Sequence, residues 1–87
     1  MTVFLNGKEM CSRQALHDHL KQQLNLPDYY GRNLDALWDL LTTTAAEVKL
    51  VAVAGMLNAL GAYGCRLLKT FYDAAAENSR FEFSVED

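Results

Sequence analysis

The run Val48-Lys49-Leu50-Val51-Ala52-Val53 constrains the fold more than any other stretch. Apart from Lys49 it is apolar and rich in β-branched residues, which predicts a strand covered on both faces, at or beside the centre of a small parallel sheet. Parallel strands need long crossovers, usually helical, and the flanking segments read that way. Thr2-Val3-Phe4-Leu5 predicts a first strand, closed by the turn-forming dipeptide Asn6-Gly7. Ser12 is placed to cap a helix over about 13–24, with Leu16, Leu20 and Leu24 on one face and Pro27 preventing its continuation. Asn33 caps a second helix to about Thr42, with Leu34, Leu37, Trp38 and Leu41 at i, i+3, i+4 and i+7. Met56, Leu57 and Leu60 predict a short helix punctuated by Gly61 and Gly64. Leu67, Leu68, Phe71, Tyr72 and Ala75 predict the longest one, ending near Asn78, before the alternating strand Phe81-Glu82-Phe83-Ser84-Val85. The order β, α, α, β, α, α, β makes this an α/β chain with a three-stranded parallel sheet, right-handed crossovers and about four packed helices.

With 87 residues, 51% apolar and 22% charged, the chain has material for one modest core, so a single domain over 1–87 is expected, without repeat or linker. A net charge of −3 with eight scattered Lys and Arg residues argues against direct nucleic-acid binding by phosphate neutralisation. A partner chosen by charge is expected to be basic. Cys11 and Cys65 form no CxxC or Cys/His cluster, so a packing role is expected for each, and neither metal nor cofactor is implied. MTVFLNGKEM has no signal-peptide pattern, so a cytoplasmic location is expected, and no apolar run approaches the roughly 18 residues of a membrane span.

The segment PDYYGRNLDALWD, residues 27–39, sets Asp35 and Asp39 one helical turn apart beside Tyr29, Tyr30 and Trp38, with no cation on that helix. Like charges at i, i+4 destabilise a helix by roughly 0.2–0.5 kcal/mol. Asp39 near the negative end of the helix dipole costs roughly another 0.3–1 kcal/mol. An acidic pair alone is most often a solvated face. General acid–base catalysis finds little support, because no histidine is near in sequence and both carboxylates project into water. Two carboxylates on one helix are also too few ligands for a hard cation. A recognition surface fits better, with the aromatics as anchors and the carboxylates facing a partner's cations.

LNLPDYYGRNLDALWDLLT, together with the preceding NGKE turn, resembles the barstar family of intracellular inhibitors of a secreted bacterial ribonuclease. The likeness is dense over residues 3–42 and looser over 43–87. It implies a barstar-like fold and a non-enzymatic, immunity-like role, in which the loop and second helix plug a small basic, barnase-like ribonuclease as a 1:1 complex of monomers. Carried over by position, the contact residues are Tyr29, Asn33, Asp35, Trp38 and Asp39. The resemblance implies that Asp39 takes the place of a substrate phosphate, that Asp35 meets another donor and that Tyr29 packs on the catalytic histidine. Alignment through Phe71 adds Asp73, where the family carries a glutamate. The alternative is the same fold serving another basic protein or a toxin that is not a ribonuclease.

Three further residues carry separate expectations. His17 flanks the apolar stripe of the first helix and reads as a half-buried structural histidine. Tyr30 is expected in the core or as a loop anchor, and Asp73 can pair with Lys69 one turn away. Arg32, the one cation of the acidic loop, is expected to tune the choice of partner.

Overall fold

The computed structural model describes residues 2–86. Three strands, β1 (Thr2–Asn6), β2 (Ala46–Val51) and β3 (Phe81–Glu86), form a parallel sheet in the order β1-β2-β3. Between them run α1 (Arg13–Leu24), α2 (Leu34–Leu41), α3 (Val53–Leu60) and α4 (Ala62–Glu77), with a single 3-10 turn at Gly7–Glu9. The expected α/β fold with a three-stranded parallel sheet and four helices is what forms.

The central strand differs from its expectation in extent and in covering. β2 begins at Ala46 and ends at Val51, because Ala52 turns the chain in the left-handed region (φ 54°) and Val53 already opens α3. The unbroken apolar run is therefore a strand joined directly to a helix start. Only one face of the sheet is fully covered. In β2, buried Ala46, Val48 and Leu50 alternate with half-buried Glu47, Lys49 and Val51. The register sets Phe4, Lys49 and Ser84 in one row and Thr2, Glu47 and Glu82 in another on the second face. There Thr2 Oγ1 donates to Glu47 Oε1 at 2.7 Å, and Phe4 stays 57% exposed. Strands added in sequence by crossovers of one hand put every helix on the same face, which leaves the other without a cover.

The core lies between the covered sheet face and the helices: Val3, Leu5, Val48, Leu50 and Phe81 meet Leu16, Leu20, Leu37, Leu41, Leu67 and Phe71. Phe71 stacks on Phe83 with centroids 4.5 Å apart and rings within 4° of parallel, joining α4 to β3. Gly7 has an ordinary negative φ, so its role differs from that expected of an Asn-Gly turn. A Cβ at that position would lie 2.2 Å from the carbonyl oxygen of Ala52, and only glycine lets the two backbones approach so closely. No helix among the described residues is long and apolar enough to cross a membrane.

Candidate functional site

α2 is held rigidly at both ends. At its start Asn33, in extended conformation, accepts the Ala36 N–H through Oδ1 at 2.7 Å and donates through Nδ2 to the Gly31 carbonyl at 3.2 Å, so the cap also fixes the loop before it. At its end Thr42 donates to the Asp39 carbonyl at 2.9 Å, and Thr43 and Thr44 both donate to that of Leu40, at 3.1 and 2.6 Å. Buried Asn78, just past α4, completes the clamp by donating through Nδ2 to the Leu41 carbonyl at 3.0 Å and to that of Thr44 at 2.8 Å. Sequence reading saw Asn78 only as a helix end. Its two partners lie far away in the chain, and no local pattern reports them.

The loop before α2 rests on His17. Its Nδ1 lies 2.6 Å from the Tyr30 hydroxyl and its Nε2 2.8 Å from the Tyr63 hydroxyl, so one imidazole ties α1 to the loop and to the start of α4. The histidine is buried outright rather than half-buried, since the two tyrosines cover the flank that the helical periodicity left open. Burial, then the charge of Arg32, holds its pKa below the ordinary 6.5 against the opposing pull of Asp18. Burial likewise pushes the Tyr30 hydroxyl well above the usual tyrosine range. Tyr30 is thus the loop's anchor, while its neighbour Tyr29 is 82% exposed.

Of the five aspartates among the described residues, Asp18 pairs with Arg32, Asp28 with Lys21 and Asp73 with Lys69, which leaves Asp35 and Asp39 without an ion pair there. Asp35 occupies the first turn of α2, where the positive end of the helix dipole favours a carboxylate. The electrostatic cost expected for the pair therefore falls on Asp39, in the last turn. Trp38 is half-buried against the core, with its outer edge in a groove of about 300 Å³ between α2 and α4 that Asp35, Arg66, Lys69 and Asp73 also line. Asn33 and Asp35 border an adjoining cleft with Arg13, Arg32, Tyr63 and Arg66. The structure thus brings Asn33, Asp35, Trp38 and Asp73 to one surface. Tyr29 and Asp39 line neither hollow and stand exposed on the loop and on α2.

Besides Asn78, two cations beside the site have no signal in the sequence. Arg13 from α1 and Arg66 from α4 reach the border of the acidic helix, and both approach the ring of Tyr63. They are remote from one another in the chain and from the acidic segment, so spacing gave no sign of them. Lys69 takes Asp73 at 2.9 Å, the surface pairing foreseen for that residue. Among the described residues no group of three or more His, Cys, Asp or Glu side chains is arranged to hold a metal ion. Cys11 and Cys65 are exposed free thiols, not the packed residues expected, because each falls on the outer side of its segment.

Against known proteins, the family model described as Barstar (barnase inhibitor) matches residues 1–87. A Bacillus subtilis (strain 168) protein named "Putative ribonuclease inhibitor YrdF" is 55% identical over 40 residues, 46% of this chain and 44% of that protein. The match spans less than half the length of that relative.

Proposed function

The chain belongs to the barstar family, and on that premise we propose that it inhibits a small basic ribonuclease by setting the face built from the 27–33 loop and α2 into the enzyme's active site. The carrying observation is the selective pairing of the aspartates: every described one has a cation except the two on α2. A ribonuclease must gather cations to bind a polyanion, and two unpaired carboxylates on a rigid helix meet those cations without ordering a flexible chain. In this reading Asp39 stands where a substrate phosphate would lie, Asp35 meets a second donor, and Asn33 holds the helix start. Tyr29 and Trp38 supply apolar contact, and Asp73 adds a weaker contact, since Lys69 already holds it. One inhibitor covers one active site, and no cofactor takes part. The barnase–barstar pair is itself the type example of steered association and of a charged hot spot, and the size of those effects belongs to that pair.

Titration of barnase activity on RNA with the chain tests the reading. Stoichiometric loss of cleavage is expected, and Asp39→Ala should weaken inhibition by about 2–5 kcal/mol, the range for truncating one partner of a desolvated charge pair. Undiminished cleavage at saturating chain, or an Asp39→Ala variant that inhibits as well as the parent, contradicts it.

A further inference from the structure

The cleft beside Asp35 has the opposite character to α2. Arg13 lies 4.2 Å from the centroid of the Tyr63 ring and Arg66 5.6 Å from it, so one aromatic side chain gathers two guanidinium groups. Neither has a carboxylate partner among the described residues, and both are exposed. Arg32 borders the same cleft of about 300 Å³, with its own charge shared with Asp18. The Tyr63 hydroxyl is fixed at 2.8 Å from His17, so the platform beneath the two arginines is anchored to the core. Stacking on an aromatic face restrains a guanidinium while leaving its in-plane N–H donors free, and that donor fork matches an oxyanion.

From this convergence of Arg13, Arg66 and Arg32 about Tyr63 we infer that the cleft is a carboxylate-receiving subsite at the border of the acidic face, fitting a partner protein that presents an Asp or Glu side chain beside its own cations. The inference rests on the reading of α2 as the partner-binding surface and adds what that partner must carry next to its basic centre. Charge complementarity selects a protein carboxylate over a nucleic acid. Asp35 lines the same cleft and Asp39 lies one turn on, so a polyanion entering it would run along two unpaired carboxylates on a chain of net charge −3. A single carboxylate within a cationic surface satisfies both halves at once. Such a two-signed face fixes the register of docking and rejects a partner that is merely basic.

A blocked Ala-Glu-Ala peptide, which carries a single carboxylate, titrated into the full chain and followed by NMR tests the inference, with a uridine hexanucleotide as the competing probe. The peptide should shift the Tyr63 ring and the Arg13 and Arg66 Nε–H resonances saturably, with Kd on the order of 1 mM or tighter. In Arg13→Gln/Arg66→Gln, whose side chains are exposed, the apparent Kd should rise at least tenfold, whereas Asp35→Asn should retain or strengthen binding. Absence of a shift at these resonances, an unchanged Kd in the double variant, or equal or tighter binding of the oligonucleotide overturns the subsite. Failure of nuclease inhibition would strike the reading of α2 and leave this titration as it stands, so the two are separately decided.

Discussion

The aspartates of α2 are neighbours with opposite local costs. Asp35 sits in the first turn and Asp39 in the last, so the dipole favours one by roughly 0.3–1 kcal/mol and disfavours the other by a similar amount. Their mutual repulsion of roughly 0.2–0.5 kcal/mol is common to both. Thermal melts should therefore separate them: Asp39→Ala leaves the melting temperature unchanged or raises it slightly, and Asp35→Ala leaves it unchanged or lowers it. The reverse order would show that Asp39 holds the fold together. Two histidines give the chain a pH dependence of definite sign. Burial lowers the pKa of both His17 and His19 below 6.5, and His19 Nε2 accepts the Asn6 N–H at 3.0 Å, a bond that only the neutral ring can make. The unfolded chain binds these protons at a higher pH than the folded one. Their stabilising effect is thus complete above about pH 6.5 and is lost as pH falls below it. Melting between about pH 8 and 5 should show a decline beginning near the ordinary histidine value, and a melting temperature that rises on acidification through that window would contradict this.

α2 is only eight residues long and owes its position to its caps: Asn33 before it, three threonines and Asn78 after it. Asn78→Ala removes both donors to the Leu41 and Thr44 carbonyls. It should lower stability by about 1–3 kcal/mol in chemical denaturation, and its partner affinity should fall as well, because the C-terminal turn that carries Asp39 loses its tether. Unaltered stability would show that water replaces the amide. What could be read in the sequence follows from the range of each signal. The Ser12 and Asn33 caps, the leucine periodicity of α1 and the period-two strand β3 are local, and they form where the pattern puts them. The end of β2 was read two residues late because an apolar residue at a strand end and one at a helix start look alike until Ala52 turns between them. The one-sided covering of the sheet and the depth of His17 depend on contacts between distant elements. So do the Arg13–Tyr63–Arg66 cluster and the Asn78 clamp, and no spacing rule contains them. The acidic pair and the Lys69–Asp73 pairing, being local, were visible, whereas the Asp18–Arg32 and Asp28–Lys21 pairs that complete the contrast were not.

At the scale of the whole molecule, a one-layer sheet with all helices on one side leaves α2 and its loop on the outer surface, framed by α4 and anchored through His17 to α1. The surface around it is not uniformly acidic, since the Arg13, Arg32 and Arg66 border limits how far a generic cationic protein would be attracted. Orientation then matters as much as net charge. If the unpaired carboxylates on α2 meet a cationic active site, association must respond to salt. Stopped-flow mixing with barnase across a salt series, for the parent chain and for Asp35→Ala/Asp39→Ala, measures this directly. The parent should associate faster than the roughly 10⁵–10⁷ M⁻¹s⁻¹ of unsteered docking at low salt and slow steeply as salt rises, with dissociation changing much less, while the double variant loses most of that slope. An association rate flat with salt, or a slope that survives removal of both carboxylates, would show that the α2 aspartates do not steer docking.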